Sequence, residues 1–386
     1  MTASRSISEA KAVRSSAGSA CRRAAGDRIC VFLTHDNHGG ARVVVEQLCD
    51  GLKRRGAVVD LGFLYGTGDA PAGSRAVDGG LRRFAGAAPI AFLDLWRRFR
   101  RDRPAAVIAN LPIANAFVLG AAWLAGVPRR IAVHHVDTAS YRPWSRRLDR
   151  IAGTLGAYTR VVAVSRPVLD SLADFPPAYR RRLCSIDNGM PRTAPSADRA
   201  ALRRRFGHGD EDLVVVNVGR LSSQKNQAVL IDALAQADPA VRLVLVGDGE
   251  LRPDLEQRAR DRRVAGRVTF TGRVDPQTVA DHLAAADLFA LPSLYEGLSL
   301  ALIEALHAGL PMLVSDVPSN RAPFEHAGPD ACVAVPTEDA AAWAAAIAGL
   351  ARDPARRRRL ADAAARLSEH YDVERMIDDY LAEATA

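Results

Sequence analysis

The chain has 386 residues, which is too long for one typical hydrophobic core and suits two domains of ordinary size. Its 48% hydrophobic and 25% charged residues are ordinary for a soluble globular protein. The formal net charge of +8 points to an anionic partner, but only three of the 52 basic residues are lysines, which also fits a solvated, arginine-rich surface. No recognised nucleic-acid-binding module accompanies the charge, so nucleic acid is not a predicted partner.

The N-terminal residues and the cysteines indicate the compartment. Residues 1–27 are rich in Ser, Ala and Arg and lack an apolar core, so we predict a disordered N-terminal tail, with a transit-like peptide as the alternative. The five cysteines are scattered without a C-x-x-C pair, which excludes a disulfide framework and a metal knuckle. We therefore predict a reducing, cytoplasmic location.

The first half of the chain alternates short apolar runs with helical patterns. Strands are predicted over 28–35, 58–65, 105–110, 130–135 and 160–165, and a helix that follows Gly39 and Gly40 stops at Gly56. This βαβ pattern predicts a parallel sheet in a domain spanning 28–190. The uncharged run 105–128 is long enough to cross a bilayer, but Pro112 and Gly120 interrupt it, so we interpret it as strand, turn and buried helix.

After a Pro-, Gly- and Ser-rich linker at 191–211 that holds a short helix, the series restarts. Strands are predicted at 212–220, 241–249, 267–273, 287–293, 311–317 and 331–337, in a domain spanning 212–369. An amphipathic helix at 370–386 ends the chain, and its periodicity does not assign it to either domain. The predicted fold class is α/β, with two doubly wound, Rossmann-like domains facing each other across a cleft. Ligands of such folds bind at the carboxyl ends of strands.

The stretch "VGRLSSQKN" (218–226) follows a strand with Gly219, Arg220 and Lys225. Two cations at a strand's carboxyl end suit a diphosphate, although surface charge at a βα turn is an equal alternative. The next motif, "LVGDGEL" (245–251), is interpreted as a tight turn in which Asp248 caps a helix.

The stretch "PSLYEGLSLALIEALHAGLPML" (292–313) carries the strongest functional signal. Ser299 is predicted to cap a helix over 300–306 that ends at Gly309. The loop from Glu296 through Leu298 to Ser299 then presents backbone N–H groups to a phosphate. Glu304, the only charged residue of this apolar helix, suits a ribose diol, and Glu296 suits hydroxyls of a second sugar. These parts together describe a nucleotide-sugar; a structural ion pair between Glu304 and an arginine is the alternative.

These motifs, with "GGARVVVEQLCDGLKRRG" and "VTFTGRV", resemble the retaining glycosyltransferases of the family 4 type, which have the GT-B fold. Their Glu, seven residues, Glu signature matches the spacing of Glu296 and Glu304. The resemblance implies that Glu304 holds the ribose, that Glu296 holds the donor sugar, and that Arg220 and Lys225 bind the diphosphate.

The resemblance also implies roles in the first domain. Gly39 and Gly40 would let the backbone approach the phosphates. A histidine near the anomeric carbon would be His134 or His135; we favour His134 as the catalytic one and leave the other open.

The mechanism is predicted from the same resemblance. No Asp-x-Asp motif lies at a strand end, since Asp210-Glu211-Asp212 falls in the linker, so we expect no metal and no cofactor besides the UDP-sugar or GDP-sugar substrate. Cations and the helix N-terminus would offset the charge on the leaving group. The favoured course is same-face displacement with retention. A nucleotide-sugar epimerase and a catalytically silent GT-B protein that binds nucleotide or a partner are the alternatives.

Two basic, aromatic segments suggest where an acceptor is found. "FLDLWRRFRRDR" (92–103) and "YRPWSRRLDR" (141–150) place aromatics beside arginines, as on an anionic membrane surface. The alternative is an amphipathic helix packed on the sheet. We therefore expect a glycan or lipid-linked acceptor in cell-envelope polysaccharide or glycolipid synthesis, with the inner face of the plasma membrane as the candidate peripheral location.

Overall fold

The chain forms two compact α/β units. The computed structural model describes residues 26–35, 39–65, 75–76, 88–325, 327–328 and 331–386. The first unit extends to Gly189 and includes Val373–Ala386, and the second is Met190–Asp372. The tail predicted at 1–27 lies, except for residues 26 and 27, outside the described residues.

A parallel sheet with the strand order β3-β2-β1-β4-β5-β6-β7 forms the centre of the first unit. The strands are β1 (Arg28–His35), β2 (Val58–Tyr65), β3 (Arg75–Ala76), β4 (Ala106–Asn110), β5 (Arg129–His134), β6 (Arg160–Ala163) and β7 (Leu183–Ser185). The helices are α1 (Gly40–Arg54), α2 (Ala88–Asp102), α3 (Pro112–Leu124), α4 (Pro143–Leu155), α5 (Arg166–Asp170) and α6 (Pro177–Arg180). Every residue of β4 is buried, as expected for a central strand covered by helices on both faces.

The second unit repeats this plan with the strand order β10-β9-β8-β11-β12-β13. Its strands are β8 (Leu213–Val218), β9 (Val241–Val246), β10 (Val268–Gly272), β11 (Leu288–Leu291), β12 (Met312–Ser315) and β13 (Val333–Val335). Its helices are α7 (Arg199–Phe206), α8 (Gln227–Leu234), α9 (Arg252–Asp261), α10 (Pro276–Ala285), α11 (Leu300–His307), α12 (Pro318–Arg321), α13 (Ala340–Arg352) and α14 (Pro354–Ser368). Short 3-10 turns occupy Thr138–Ser140 in the first unit and Ser223–Lys225, Ala265–Arg267, Ala322–Phe324 and Glu369–Tyr371 in the second.

Both sheets are doubly wound, and this confirms the predicted fold class. The strand order reverses beside β1 in the first unit and beside β8 in the second. The two switch points therefore lie between β1 and β4 and between β8 and β11, where folds of this kind bind ligands. The short strands β3 and β7 were not predicted, because they contribute only two and three residues.

The uncharged run 105–128 folds as β4, a turn at Leu111 and α3. Leu111 takes a positive φ of 76°, which turns the chain from strand to helix, and Pro112 begins the helix. The predicted strand, turn and helix are confirmed. In the part of the chain that the structure describes, the helices are too short or too polar to cross a bilayer.

The segment predicted as a linker, 191–211, belongs to the second unit. Ser196 Oγ donates to Asp281 Oδ2 at 2.6 Å, and Arg203 Nη1 donates to Asp287 Oδ2 at 3.0 Å. These bonds attach α7 and the residues before it to α10 and the start of β11.

The C-terminal helix α15 (Val373–Thr385) belongs to the first unit, a choice that periodicity could not make. Its apolar face includes Ile377, which fills the space above Gly51 of α1 so closely that a Cβ on Gly51 would lie 2.1 Å from Ile377 Cδ1. The guanidinium of Arg160 pairs with Glu383 at 2.6 Å on the same helix.

The aromatic face of α2 packs inward. Leu95 and Phe99 are buried, and Trp96 Nε1 donates to the carbonyl of Leu124 at 3.3 Å. For the segment 92–103 the structure therefore supports the packed amphipathic helix rather than an exposed aromatic face.

Candidate active site

An ion pair joins the two loops at the β8/β11 switch point. Lys225 ends the turn after β8, Glu296 follows β11, and Lys225 Nζ lies 2.5 Å from Glu296 Oε1. The Lys225 side chain is 17% exposed and the Glu296 side chain 8%, so both charges are largely removed from water. A pair this sheltered needs both partners, because either one left alone would be a buried, uncompensated charge.

Backbone contacts hold the same two loops together. The N–H of Leu294 donates to the carbonyl of Gln224 at 2.8 Å, and Gln224 Nε2 donates to the carbonyl of Tyr295 at 3.0 Å. The N–H of Glu296 donates to Ser319 Oγ at 3.2 Å. These three hydrogen bonds fix the positions of the two loops, and so of Lys225 and Glu296, without a ligand.

Three glycines bring the loops after β8 and β9 into close contact. A Cβ on Gly247 would lie 2.1 Å from the Gly219 carbonyl oxygen, and one on Gly249 would lie 2.3 Å from the Leu221 carbonyl oxygen. Gly219 and Gly247 also have φ values of +155° and +136°. The Gly-Asp-Gly motif therefore shapes the loop that carries Lys225, a role that sequence reasoning missed. Asp248 itself accepts from the N–H of Gly249 at 2.8 Å and pairs with Arg252 at 3.5 Å.

Arg220 lies at the surface of this loop. Its Nε donates to Glu250 Oε2 at 2.9 Å, and the arginine side chain is 69% exposed. An exposed pair of this kind contributes little to stability. The guanidinium can therefore change partner at low cost when an anion arrives.

The N-cap residue of α11, Ser299, does not cap the helix with its side chain. Ser299 occupies the N-cap position with extended backbone angles, as predicted, but its side chain makes no capping hydrogen bond. Its Oγ is buried, and no residue in the described ranges gives it a hydrogen-bond partner. The Leu298 side chain packs into the core, so only its backbone is available to a ligand. Free N–H groups and an unpartnered hydroxyl at a helix N-terminus are an anion site.

Glu304 lies one turn further along α11, about 7 Å from Ser299 along the helix axis. It lines a cavity of about 190 Å³ within the second unit, together with Pro191, Thr193, Val279 and His307. Among the described residues none forms a hydrogen bond or ion pair with the Glu304 carboxyl group. Burial raises the pKa of its carboxyl group to about 7. The alternative role, a structural pair with an arginine, is not what the structure shows.

His134 lies in the core of the first unit, and this position does not support our prediction that it is the catalytic histidine. The residue is fully buried at the end of β5, with Nε2 2.9 Å from the Tyr179 hydroxyl and 3.5 Å from Asp149 Oδ2. Asp149 also accepts from Tyr158 and Tyr179. Burial lowers the pKa of His134 and raises the pKa of Asp149. A side chain this enclosed cannot touch a substrate.

His135 lies beyond the end of β5 and keeps 8% of its surface exposed. Its Nε2 lies 2.8 Å from Asn110 Oδ1, and Asn110 Nδ2 donates to the carbonyl of Phe32 at 2.9 Å. Because Asn110 therefore presents its oxygen, His135 Nε2 carries the proton and Nδ1 is an acceptor. Burial, then the neighbouring His134, lowers the pKa of His135 to about 4. The ring is neutral at physiological pH.

Gly39 and Gly40 begin α1 beside the other switch point. Gly39 is the N-cap residue with extended backbone, and a Cβ there would meet no atom of the described residues within 4 Å. The space beside the backbone is open, so a ligand could approach it closely. The structure places both glycines in the first unit, and Arg220, Lys225, Glu296 and Glu304 in the second.

Comparison with known proteins assigns the chain to a class. The family model for glycosyl transferases group 1 matches residues 198–367, and the model for Glycosyltransferase Family 4 matches residues 38–192. A D-inositol 3-phosphate glycosyltransferase from Rhodococcus opacus (strain B4) is 30% identical over 89% of this chain and 84% of its own length. The Bacillus subtilis (strain 168) relative EpsF is 29% identical over 55% of this chain, which spans only 57% of that relative.

The fold agrees with this assignment. The crystal structure of Anabaena Alr3699/HepE in complex with UDP superimposes with a TM-score of 0.76 over 92% of this chain and 98% of that one, at 21% identity. The two doubly wound units are those of the GT-B fold. The chain belongs to the GT-B glycosyltransferases of the family 4 type.

Proposed function

We propose that the protein is a retaining, metal-independent glycosyltransferase that moves a sugar from a UDP-sugar or GDP-sugar to an acceptor hydroxyl. The observation that carries this proposal is the Lys225–Glu296 pair at the β8/β11 switch point. Beyond it along the chain lie the Ser299 hydroxyl and the Glu304 carboxyl, and neither has a hydrogen-bond partner among the described residues. A nucleotide-sugar has a sugar, a diphosphate and a ribose in that order. The order of the side chains along the loop and α11 supports the same sequence of contacts.

The diphosphate is the group that this site has to stabilise as it leaves. Its charge would lie against the N-terminus of α11, where backbone N–H groups and Ser299 Oγ donate. Lys225 supplies a sheltered cation from the facing loop. Arg220 would exchange Glu250 for the diphosphate, which its exposed position permits. Fixed positive groups around a departing anion lower the barrier without a metal ion.

Glu304 would hold the ribose. An ionised carboxylate accepts a hydrogen bond from each of two vicinal hydroxyls, and Glu304 has no competing partner among the described residues. Glu296 would accept from hydroxyls of the donor sugar, while Lys225 at 2.5 Å compensates its charge.

In the first unit we assign the contact with the donor sugar to His135 instead of His134. His135 keeps 8% of its residue surface exposed whereas His134 keeps none, and its Nδ1 could accept a hydrogen bond from a sugar hydroxyl. Gly39 and Gly40 would allow the backbone to approach the phosphates.

The proposed reaction is a same-face displacement. The bond between the anomeric carbon and the diphosphate oxygen breaks, and the acceptor oxygen bonds to the same face of that carbon. The acceptor's proton passes to the departing phosphate oxygen. Glu296 is committed to Lys225, so we assign it no role as a nucleophile. Anomeric configuration is retained because both bonds lie on one face.

The acceptor that we propose is a glycan or a lipid-linked sugar of the cell envelope. One relative, from Corynebacterium glutamicum, is a GDP-mannose-dependent monoacylated alpha-(1-6)-phosphatidylinositol monomannoside mannosyltransferase, and its name supports an acceptor of the lipid-linked class. The proposal places the protein in the cytoplasm, at the inner face of the membrane that holds such acceptors.

Calorimetry followed by turnover tests the proposal. UDP and GDP are titrated first, and a panel of UDP-sugars and GDP-sugars is then incubated with the protein in the presence of EDTA. We expect one nucleotide to bind and one donor to be hydrolysed slowly, with an α product from an α donor by NMR. Binding without turnover of any donor would favour a silent binding protein, and conversion of the donor to its epimer would favour an epimerase.

A further inference from the structure

The helix α4 (Pro143–Leu155) exposes its large apolar side chains. Trp144, Leu148, Ile151 and Leu155 are 48%, 44%, 47% and 66% exposed. Their spacing of four, three and four residues places them within an arc of about 60° on the helix surface. They form one continuous row, which we name the α4 apolar row.

The face of α4 that packs on the first unit is small and polar instead. Its buried residues are Ser145, Asp149 and Gly153. Asp149 accepts from Tyr158 and Tyr179, and a Cβ on Gly153 would lie 2.3 Å from the Tyr179 ring. This is the reverse of an ordinary amphipathic helix, which buries its large apolar residues. Folding of the first unit therefore does not explain the apolar row.

A third face of α4 is basic. Arg146, Arg147 and Arg150 line a groove of about 630 Å³ beside the helix, together with Tyr141, Ile151 and Leu155. Arg146 contacts Asp174 at 2.9 Å, and the guanidinium of Arg150 lies over the Phe175 ring. Within Pro143–Leu155 the only acidic residue is Asp149, which is buried. The surface of α4 that faces solvent therefore consists mainly of arginine side chains next to the α4 apolar row.

The neighbouring helix α3 also exposes large apolar side chains. It packs against α4, and its last two residues, Trp123 and Leu124, are 42% and 59% exposed. A continuous row of exposed apolar side chains, such as the one on α4, marks an interaction site on a soluble protein.

We propose that this surface binds the face of an anionic lipid bilayer. The α4 apolar row enters the region below the head groups, Trp144 lies at head-group level, and Arg147 and Arg150 contact lipid phosphates. Both halves of the surface fit this occupant, since a bilayer offers hydrocarbon directly beneath a layer of negative charge. A second copy of the chain fits poorly, because a two-fold contact would bring arginines against arginines. The inference rests on the proposed function for the location at the membrane and adds the surface that binds there, whereas vesicle binding itself does not require the transfer reaction.

Vesicle sedimentation of the full-length protein tests the proposal. Vesicles of phosphatidylcholine alone are compared with vesicles that also contain phosphatidylglycerol, and we expect binding to rise at least about tenfold with the anionic lipid. Leu148→Gln should weaken binding to the mixed vesicles about tenfold. The matched control is Val58→Gln, which changes a residue of equal exposure, 45%, on β2 and should bind like the wild type.

A second pair of variants tests the charge. Arg147→Gln/Arg150→Gln should remove most of the preference for anionic vesicles. The matched control, Arg358→Gln/Arg359→Gln, removes two exposed arginines from α14 and should retain the preference for anionic vesicles. Equal loss in both double variants would show a non-specific effect of net charge and overturn the proposal.

Two further outcomes would also overturn it. One is wild-type binding that does not differ between the two vesicle types. The other is light scattering that shows a dimer abolished by Leu148→Gln while vesicle binding is unchanged, which would assign the row to self-association. Donor hydrolysis, measured without lipid, should be the same in all four variants, so loss of vesicle binding is separable from failure of the proposed reaction.

Discussion

Lys225 Nζ and Glu296 Oε1 lie 2.5 Å apart, although 71 residues separate them along the chain. The contact is possible because β8 and β11 are neighbours in the sheet, so that the loops after them meet at one edge. In the proposed function, this pair would bring a cation for the diphosphate and an acceptor for the donor sugar to the same point.

Breaking this pair should affect stability and turnover separately. Lys225→Met leaves a largely buried carboxylate unpaired and should lower the free energy of unfolding by about 3 kcal/mol. Glu296→Gln leaves the opposite charge and should cost a similar amount. Lys225→Met/Glu296→Gln removes both charges and should recover much of the loss in urea unfolding, whereas donor turnover should stay at least about a hundredfold below wild type. Recovery of turnover in the double variant would show that the pair is only structural.

Glu304 predicts a pH dependence of stability. Burial raises the pKa of its carboxyl to about 7 from an ordinary 4.5, so the folded protein holds a proton that the unfolded chain releases. The contribution of this group to the free energy of unfolding is full below pH 4.5 and is lost as the pH rises through 7, a change on the order of 3 kcal/mol. Glu304→Gln should remove that part of the slope. Urea unfolding across this range measures it, and identical slopes in both proteins would contradict the assignment.

The same residue predicts how nucleotide affinity changes with pH. In the proposed function the ionised carboxylate would accept hydrogen bonds from both ribose hydroxyls, so UDP or GDP should bind more tightly as the pH rises through about 7. Glu304→Gln keeps one acceptor oxygen and should flatten this part of the profile, while titration of the nucleotide's own phosphate remains in both proteins. A profile that is unchanged in Glu304→Gln would remove the ribose contact.

Substitution of the two adjacent histidines should have different effects, on turnover for His135 and on stability for His134. His135→Ala should lower donor turnover at least about tenfold with a small change in Tm. His134→Ala removes a partner from the buried Tyr179 and Asp149 cluster and should cost about 1–3 kcal/mol of stability, while the folded protein keeps most of its turnover. Calorimetric melting and donor turnover at a temperature where both variants are folded decide the matter. Loss of turnover confined to His134→Ala would reverse the assignment.

Two helical glycines should respond in opposite directions. Gly51→Ala places a methyl group in contact with Ile377 of α15 and should destabilise the first unit by about 1–3 kcal/mol. Gly349→Ala, in the last turn of α13, places a methyl group that meets no atom of the described residues within 4 Å and should stabilise by about 0.5–1 kcal/mol. Tm measurements on both variants check the docking of α15, and a stabilised Gly51→Ala would contradict it.

The strands of the two sheets and the limits of α11, the helix that carries Glu304, were predictable because each depends on residues close together in the sequence. Runs of Val, Leu and Ile read as buried parallel strands, and Ser299 and Gly309 delimit α11 as predicted. The choice between His134 and His135 was not predictable, because His134 ends β5 and His135 follows it, and the sequence does not show which of the two side chains packs against Asp149.

The other features that the sequence did not predict depend on contacts between segments that are distant along the chain. The partner of Glu296 is set by strand order, which places Lys225 opposite it. Glycine is required at 247 and 249 because carbonyl oxygens of the neighbouring loop lie where a Cβ would be. The sequence of the Gly-Asp-Gly motif does not show that contact, and it predicts only a tight turn. The place of α15 depends on a gap at Gly51 that only the folded first unit presents.

Calorimetric titration of UDP and GDP into the wild type, Lys225→Met and Ser299→Ala tests the central claim most directly. The account predicts one binding site for one of the two nucleotides, weakened at least about tenfold by Lys225→Met and less by Ser299→Ala. Equal affinity in all three proteins, or no binding of either nucleotide to the folded wild type, would contradict it.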